Sequence, residues 1–538
     1  MAGTVTLVLH THLPYCRLAG RWPHGEEWLH EAALECYLPL LGAFRRLATR
    51  IDGSLGVTIN ITPILAEQLK DPLVVQHFRA YLDGRIERAR GDVERFAGEQ
   101  LRGGTARFHL ERYEATRRLF EDELQGDILG GFRALEASGH LEVATSAATH
   151  AYLPLLEDDD AIRFQVMTGI DSHKRNFGRP PRSFWLPECA YRPGLERYLE
   201  EAGIEVFFVE THLVTGGRAR GKALGGMVGP YPPLAADEAS RASGGGEHQG
   251  TTFRPYFVGD SKVAAFGRNE QTGLQVWSAA HGYPGDPAYR EFHKKDAESG
   301  LHYWRVTSRD VGLGGKAEYD PAAASAVAGV QAAHFRDLVK RELYLYEHGA
   351  GESGNLVASY DTELFGHWWL EGVNWLEQVI GLLAEDPDVR LATAAEVVES
   401  DPPRARIDLP EGSWGAGGDH RTWLNGETAW TWPEVHARQA RARSLLGRDS
   451  REARQLAREL LLLQSSDWQF LMTTGQAHDY AVERFNSHCA RFDAIAAAME
   501  SGDPAFEGEL RELEYLDNPF AAIAPQRYGA HPGGVLAR

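Results

Sequence analysis

Two carboxylates stand directly after apolar runs in this sequence. Glu188 follows the segment SFWLP, Ser183 to Pro187, and Asp361 ends the segment NLVASYD, Asn355 to Asp361. Such a carboxylate is either a strand-terminal residue hydrogen-bonded to a nearby loop or a group presented for chemistry. Two of them at the ends of different strands, both beside aromatic and apolar residues, are what glycosyl transfer needs.

In that chemistry one ionised carboxylate attacks the anomeric carbon. The other gives a proton to the leaving oxygen and later removes one from the acceptor. The carboxyl groups of a retaining pair lie about 5–5.5 Å apart. The aromatic residues of FGHWW, Phe365 to Trp369, can desolvate one carboxyl and raise its pKa.

A pair of histidines in the segment HTHLPY, His10 and His12, offers a second kind of chemistry. Residues two apart point to the same side of a strand. Two histidines plus a carboxylate can hold zinc, and metal-dependent polysaccharide deacetylases use such pairs in barrels. Alternatively, these histidines hydrogen-bond sugar hydroxyls or position a carboxylate.

The sequence also predicts the elements that position these residues. Short apolar strands are predicted at Val5–Leu9, Leu55–Ile61, Leu141–Ala147, Ser183–Pro187, Glu205–Glu210 and Asn355–Asp361. Helical segments lie between most of them, such as Glu31–Ala48, Ala161–Asn176 and Pro321–Glu347. This alternation predicts a parallel sheet and, over this length, a closed barrel. Polar residues then stand at strand ends, where barrels carry their chemistry: His10, His12, Asn60, His150, Glu188 and Asp361.

Two segments interrupt this pattern, and the chain changes character after about residue 400. Residues 73–125 are charged and helical, which predicts an insertion within a barrel domain of residues 1–400. The Gly/Ser-rich stretch Leu234–Thr252 is either a lid or a tolerated insertion. Residues 401–525 predict a C-terminal all-α domain, and residues 526–538 predict a loose tail. The predicted C-terminal helices are Pro433–Leu446, Arg451–Leu463, Tyr480–Glu500 and Glu507–Leu516.

Composition excludes several classes of protein. A chain of 538 residues suggests two or three domains. A formal net charge of −20 disfavours binding to nucleic acid or to anionic membranes. The four cysteines lack metal-ligand spacing, and the N-terminus predicts a buried strand rather than a signal peptide. These features predict a cytoplasmic protein without a membrane span.

Taken together, four ordered motifs resemble those of glycoside hydrolase family 57. They are HTHLPY at His10, GVTINITPILAEQL at Gly56, WLPECAYRPG at Trp185 and DTELFGHWWLEG at Asp361. Four more resemble the α-glucan branching enzymes of that family: ATHAYLPLL around His150, VWSAAHGYPGD from Val276, SWGAGGDHRTWLN from Ser413 and SSDWQF from Ser465. The order and spacing of the motifs match across almost the whole chain.

The resemblance implies an α/β fold, namely an incomplete, TIM-like (β/α)7 barrel with a helical insertion. A C-terminal all-α helical domain would complete the active-site cleft. It further implies Glu188 as the nucleophile and Asp361 as the general acid/base. The family uses no metal, so the resemblance disfavours zinc at His10 and His12, and no cofactor is needed.

Other positions are implied as substrate-binding residues. His10, His12 and His150 would line the donor subsite, whereas Arg268, Trp277 and the backbone near Gly285 would contact the glucan. Trp414 and Trp423 would stack on sugar rings, or else pack between domains. Asp467 would hydrogen-bond hydroxyl groups, or else act as a helix N-cap.

The implied activity is that of a 1,4-α-glucan branching enzyme acting on an amylose- or glycogen-like polysaccharide. Within the family, a 4-α-glucanotransferase or an α-amylase-type hydrolase remains an alternative. A metal-dependent deacetylase and a non-catalytic glucan-binding protein are alternatives of other classes. A tyrosine on the family's active-site loop favours transfer over hydrolysis, and only Tyr231 and Tyr256 flank the Gly/Ser-rich stretch. The sequence predicts no oligomeric state.

Overall fold

The computed structural model describes residues 3–216, 250–277 and 282–529, and in these ranges ten strands form one mainly parallel sheet. Every pair of neighbouring strands is parallel except β6 and β7. The strands are β1 (Gly3–Thr11), β2 (Val57–Ile61), β3 (Leu141–Ser146), β4 (Ser183–Trp185), β5 (Val206–Val209), β6 (Tyr256–Val258), β7 (Ala264–Gly267), β8 (Gly354–Asp361), β9 (Val389–Leu391) and β10 (Arg406–Ile407).

Seven of these strands form the wall of an incomplete barrel, in the order β7-β5-β4-β3-β2-β1-β8. Asn269, two residues past β7, donates a backbone hydrogen bond of 2.8 Å to Val357 of β8, which links the two ends. β9 pairs with β1, and β10 pairs with β6. The predicted fold class is therefore confirmed.

The curvature of the sheet brings distant strand ends together. β1 and β4 are three strand spacings apart, which would separate them by roughly 14 Å in a flat sheet. Yet the ring of His10, near the end of β1, stacks on Trp185, the last residue of β4, at 4.6 Å between centroids. Side chains at the carboxyl ends of these strands therefore share one space.

Helices cover the outside of the sheet, and local signals in the sequence explain several of their ends. Asp320 caps the longest of them, with Pro321 at its first position and Gly351 in a left-handed conformation at its end. Within the described ranges, the α-helices before residue 401 are α1 (Glu26–Ala32), α2 (Leu38–Ala48), α3 (Pro63–Leu69), α4 (Pro72–Arg95), α5 (Gln100–Arg118), α6 (Ile128–Ala137), α7 (Asp159–Phe177), α8 (Glu196–Glu201), α9 (Thr211–Thr215), α10 (Glu270–Trp277), α11 (Pro321–Ala350), α12 (Gly372–Ala384) and α13 (Ala394–Ser400).

Five further helices form the C-terminal part of the chain. They are α14 (Thr431–Leu445), α15 (Arg451–Leu463), α16 (Asp467–Thr474), α17 (His478–Ser501) and α18 (Glu507–Leu516). Their apolar side chains belong to the same buried cluster as those of β4, β5 and β7; Leu460 and Phe485, for example, pack in one cluster with Phe207. The C-terminal helices are thus held against the barrel by a continuous core.

The six predicted strands are all present, but the prediction missed β6, β7, β9 and β10. These four strands have only two to four residues each, and a short apolar run does not by itself distinguish a strand from another buried segment. The prediction also missed α16. Most residues of this helix are buried, so its sequence shows little amphipathic pattern. The predicted helix Glu31–Ala48 is interrupted by a π-helical turn, Ala33–Tyr37.

The chain remains packed beyond the point where a loose tail was predicted. The Tyr528 side chain is 4% exposed and donates a 2.9 Å hydrogen bond to Asp158. Residues 530–538 lie outside the described ranges, as do Tyr231 and nearly all of the Gly/Ser-rich stretch. Tyr256 lies in β6, where its hydroxyl accepts hydrogen bonds from Thr251 and Arg254.

Across the described ranges, every helix is too short or too polar to cross a membrane.

Candidate active site

A cavity of about 580 Å³ opens at the carboxyl ends of the barrel strands. Both predicted catalytic carboxylates, Glu188 and Asp361, line it. Six of the predicted substrate-binding residues line it as well: His10, His12, His150, Trp277, Trp414 and Asp467. A volume of this size suits a small-molecule or oligomer subsite. The two carboxylates can therefore act on the same bound molecule.

Glu188 is presented to the cavity by an unusual backbone conformation. β4 ends at Trp185, and Glu188 and Cys189 follow with φ angles of 62° and 47°, in the left-handed region. Such conformations cost roughly 1–3 kcal/mol each in non-glycine residues, and they cluster at functional sites. The linker after β10 holds this turn, because Trp414 donates a backbone hydrogen bond of 3.0 Å to the Glu188 carbonyl.

Both oxygens of the Glu188 carboxyl group accept hydrogen bonds. The indole Nε1–H of Trp414 donates to Oε2 at 2.7 Å, and the Ser466 hydroxyl donates to Oε1 at 3.1 Å. Since the single hydroxyl proton of Ser466 is used in this way, His150 Nδ1–H donates to Ser466 Oγ at 2.9 Å. Two convergent donors suit an ionised carboxylate, which only accepts hydrogen bonds. The arrangement therefore fits a nucleophile.

Three histidines form a stack beside Glu188. The ring of His150 lies 3.9 Å from that of His12 and 5.0 Å from that of His10. His10 Nδ1–H donates to Asn60 Oδ1 at 2.7 Å, so residues at the ends of β1 and β2 fix its ring. The rings are thereby locked in orientation, which preorganises one wall of the cavity.

His12 joins the barrel to the C-terminal helices. Its Nε2–H donates to both Asp467 oxygens, at 3.0 and 3.1 Å, and its Nδ1 contacts Thr62 Oγ1 at 3.0 Å. Burial lowers the pKa of His12, but the hydrogen-bonded Asp467 carboxylate together with the charges of Glu188 and Glu363 outweighs burial, so the pKa is raised from its ordinary value. Asp467 is the first residue of α16 and Ser466 occupies the N-cap position, so Asp467 is not the helix N-cap.

One group of side chains in this cavity has metal-ligand chemistry. The candidate ligand atoms of His12, His150 and Asp467 all lie within 4.8 Å of one another. The His12 imidazole already donates to Asp467, and the His150 imidazole donates to Ser466. Hydrogen bonding thus accounts for the arrangement of all three, which offers no specific support for a metal centre.

Asp361 ends β8, in register with His10 of β1. The turn Thr362–Leu364 follows and brings Glu363 to the cavity wall, a residue that sequence analysis did not select. Burial raises the pKa of Glu363 to about 7, and the nearby charge of Asp361 contributes to this rise. The hydrogen bond from Tyr37 acts in the opposite direction and lowers the pKa. Its place in the motif DTELFGHWW was the signal available in the sequence.

Aromatic side chains line the rest of the cavity. Phe292 and Trp368 lie 4.2 Å apart between ring centroids on one wall, and Trp28 and His24 lie 5.3 Å apart on another. Flat apolar surfaces of this kind provide stacking area for a neutral ligand. Trp368 belongs to the motif FGHWW, but the sequence motifs did not single out Phe292, Trp28 or His24, because their convergence depends on loop packing.

Three predicted substrate-binding residues lie away from the cavity wall. Arg268 is 2% exposed and forms an ion pair of 3.2 Å with Glu210. Trp423 is fully buried and stacks on Tyr152 at 4.3 Å. Gly285 ends a short turn, Tyr283–Gly285, and is not among the residues that line the cavity. The positions of Arg268 and Trp423 favour structural roles.

The Arg268–Glu210 pair leads to a prediction on stability. We expect Arg268→Met to lower the free energy of unfolding by about 3–5 kcal/mol, because the buried Glu210 carboxylate loses its guanidinium partner. Thermal and urea unfolding measure the change. The control Arg46→Met removes the exposed pair with Glu377, which is worth about 0–1 kcal/mol. Equal stability of the two variants would contradict this structural role.

Comparisons with known proteins bear on the whole chain. The sequence model described as glycosyl hydrolase family 57 matches residues 6–410, and the model described as 1,4-alpha-glucan branching enzyme, C-terminal, matches residues 434–528. A 1,4-alpha-glucan branching enzyme of Thermococcus kodakarensis is 44% identical over 555 residues, covering 98% of this chain and 79% of the relative.

Two crystal structures show the same similarity in three dimensions. The branching enzyme from Thermococcus kodakaraensis, in complex with glucose and additives, has a TM-score of 0.90 at 42% identity and covers 98% of this chain and 96% of its own. The alpha-amylase AmyC from Thermotoga maritima has a TM-score of 0.84 at 31% identity and covers 99% of this chain and 100% of its own. The two relatives carry different activities, so this fold alone does not distinguish transfer from hydrolysis.

Proposed function

Because this chain belongs to glycosyl hydrolase family 57, we propose that it is a 1,4-α-glucan branching enzyme. It cleaves an α-1,4 glucosidic bond and transfers the chain to the 6-hydroxyl of a glucose unit, which forms an α-1,6 branch. The match of residues 434–528 to the C-terminal region of branching enzymes carries this proposal. That region supplies Asp467 to the cavity that both carboxylates line, and it supplies Ser466, which donates a hydrogen bond to Glu188.

In the first half of the reaction, Glu188 is the nucleophile. Its ionised carboxylate attacks C1 of the glucose unit while Asp361 gives a proton to the leaving glycosidic oxygen. The bond from C1 to that oxygen breaks, and a covalent glucosyl ester forms on Glu188 with inverted configuration. The hydrogen bonds from Trp414 and Ser466 hold the attacking carboxylate in one position.

In the second half, the 6-hydroxyl of another glucose unit replaces the leaving chain. Asp361, now ionised, removes the hydroxyl proton, and the oxygen attacks C1 and releases Glu188. The second inversion restores the α configuration, so the product is an α-1,6 linkage. The aromatic walls of the cavity support this proposal, because they can exclude water that would hydrolyse the ester.

The proposed substrate is an α-glucan of the amylose or glycogen kind. His10, His12 and His150 form the donor-subsite wall, Trp277 provides a stacking surface, and Asp467 is oriented by His12. We also propose that residues 1–400 are the catalytic barrel domain, with residues 73–125 inserted, and that residues 401–525 complete the cleft. A cytoplasmic location stays a prediction.

The test of this function is a product analysis. The protein is incubated with amylose, and the α-1,6 linkages are counted by NMR before and after treatment with a debranching enzyme. New α-1,6 linkages are expected. The release of reducing sugar without branches indicates a hydrolase, and linear chains of altered length indicate a 4-α-glucanotransferase. Either outcome would overturn the proposal.

Trp414 gives a prediction on rate. We expect Trp414→Phe to lower kcat about 10- to 100-fold, because hydrogen bonds to charged groups contribute about 1.5–3 kcal/mol and this one holds the nucleophile. Steady-state kinetics on amylose measure the effect. The control Trp432→Phe removes the buried 2.9 Å hydrogen bond from Nε1–H to the Trp423 carbonyl, away from the cavity. A wild-type rate in Trp414→Phe would show that this bond does not position Glu188.

A further inference from the structure

A π-helical turn lies directly behind the segment that carries Asp361. Helices α1 and α2 are joined by the turn Ala33–Tyr37, in which the helix is widened by one residue. π-turns inside helices occur frequently at functional sites. This turn is not part of either catalytic carboxylate's strand, and the proposed mechanism assigns it no role. Its contacts indicate that it positions the segment that follows Asp361.

Three successive residues of this turn hold the segment 362–367. The Cys36 thiol donates to the Thr362 carbonyl at 3.0 Å, and the Tyr37 hydroxyl donates to Glu363 Oε1 at 2.6 Å. The third, Glu35, contacts His367 Nδ1 at 3.4 Å. These hydrogen bonds connect positions more than 320 residues apart in sequence. The turn therefore clamps the segment that begins immediately after Asp361.

The two segments also approach so closely that one position excludes a side chain. Gly366 has a φ of 97°, and a Cβ atom there would lie 2.0 Å from the Glu35 carbonyl oxygen. Only glycine fits such an approach without a shift of the backbone. The contact between the π-turn and the Asp361 segment is therefore a built feature of the fold rather than a loose surface contact.

Glu363 is the point at which this clamp reaches the cavity. Its Oε1 accepts a second hydrogen bond, of 3.1 Å, from the backbone N–H of His12 in the loop after β1. The side chain is 8% exposed and lines the cavity two residues from Asp361. One carboxyl oxygen thus ties together the π-turn, the β1 loop and the Asp361 segment.

The ionisable groups around Glu363 suit a role in the proton transfer by Asp361. Tyr37 and Cys36 face it from the π-turn, His12 faces it from the β1 loop, and Asp361 lies on its own segment. Burial raises the pKa of Glu363 to about 7. The group beside the general acid/base therefore carries only part of a charge at neutral pH, which lessens its repulsion of the Asp361 carboxylate.

We propose that Tyr37 and Glu363 are positioning residues for the proton-transfer step, acting through Asp361 and not through Glu188. The inference rests on the proposed function, since it assumes that Asp361 protonates the leaving chain. Tyr37 holds Glu363, and Glu363 holds the turn that aims the Asp361 carboxyl group. The loss of either contact misplaces the proton donor while the nucleophile, fixed by Trp414 and Ser466, stays in position.

The test uses two substrates that differ in their need for a proton. The leaving group of a glucan is a sugar alkoxide and needs protonation, whereas a nitrophenolate leaving group on a maltooligosaccharide does not. We expect Tyr37→Phe to lower kcat about 10-fold on amylose, but to lower the pre-steady-state rate of nitrophenolate release, which reports the first step alone, less than twofold. KM for amylose stays within about twofold, because no contact to the glucan is removed.

The chain offers a matched control. The Tyr319 hydroxyl donates to Glu371 at 2.7 Å, and both residues are buried outside the cavity. Tyr319→Phe removes the same chemical group from the same kind of pair, so we expect wild-type rates on both substrates. Unfolding temperatures of the two variants show whether either change acts through stability alone.

A second pair of variants tests Glu363 itself. Glu363→Gln keeps an oxygen that accepts from Tyr37 and His12, whereas Glu363→Ala keeps none. The Gln variant is expected to retain most of the activity on amylose and the Ala variant to lose it about 100-fold, with both active on the nitrophenyl substrate. Equal losses on the two substrates, or a wild-type rate in Tyr37→Phe, would overturn the inference.

The positioning role of Tyr37 and Glu363 can fail its test independently of the proposed branching activity. If the wild-type protein releases reducing sugar from amylose without forming branches, branching fails, yet the substrate comparison still tests Tyr37 because hydrolysis needs the same protonation. If the protein forms branches and Tyr37→Phe loses both substrates equally, only the positioning role fails.

Discussion

Glu188→Gln is expected to lower kcat on amylose by roughly 10⁴- to 10⁶-fold while KM changes little, which is the range found when a nucleophile is removed from an enzyme. The glutamine side chain keeps the shape of Glu188, and its single carbonyl oxygen can still accept the hydrogen bond from Trp414. It cannot form the glucosyl ester, because a neutral amide is a poor nucleophile. Glucan binding is retained, since the aromatic and histidine walls are unchanged.

Two further variants show whether Glu188→Gln acts through folding and whether Glu188 is the nucleophile. Glu142→Gln alters a buried glutamate of β3 that accepts from Thr58 and from the Ala395 N–H, outside the cavity. It should show wild-type rates. Glu188→Gly with added azide should form a β-glycosyl azide from an α-linked substrate, because azide occupies the space of the missing nucleophile. A non-catalytic glucan-binding protein predicts no effect of either Glu188 change.

Asp361→Asn is the second large effect that we expect, with a fall in kcat on amylose of about 10³- to 10⁴-fold. The amide cannot donate a carboxylic proton to the leaving chain or remove one from the 6-hydroxyl, and general acid–base catalysis contributes about 10²- to 10⁴-fold at each such step. The loss should be far smaller in the first step on a nitrophenyl substrate, so that the covalent ester on Glu188 accumulates.

The product with azide separates the two carboxylate roles. Asp361→Gly should use azide to discharge the ester and form an α-glycosyl azide, because azide needs no general base and attacks the face that the acceptor normally approaches. The anomer is opposite to that expected for Glu188→Gly. The same anomer from both variants would contradict the assignment. The exposed Asp122 provides a control, since Asp122→Asn lies outside the cavity and should not alter the rate.

Much of the fold could be predicted from local patterns. β2 is buried along its whole length, and such short apolar runs between helices are typical of parallel strands. Helices such as α15 showed a periodicity and a cap, Ser450, within a few residues. Elements with little pattern of their own were missed, such as the two-residue β10 and the mostly buried α16.

The site was predicted to the extent that its residues stand in motifs. Glu188 and Asp361 follow apolar strands directly, so their presence at one edge of the sheet follows from strand direction alone. Trp423 also stands in a motif and Arg268 shortly precedes another, yet the structure places Arg268 in an ion pair and Trp423 in a buried stack. A motif indicates that a residue is constrained, but its contacts decide whether substrate or packing constrains it.

The sequence by itself determined a barrel with two carboxylates at its strand ends, because strand length, helix periodicity and capping are local properties of the chain. Only the tertiary structure decided which groups hold those carboxylates. The donors to Glu188 come from 226 and 278 residues away, and Tyr37 reaches Glu363 across 326 residues. The raised pKa of Glu363 likewise depends on burial, which exists only after curvature of the sheet and docking of the C-terminal helices have closed the cavity around it.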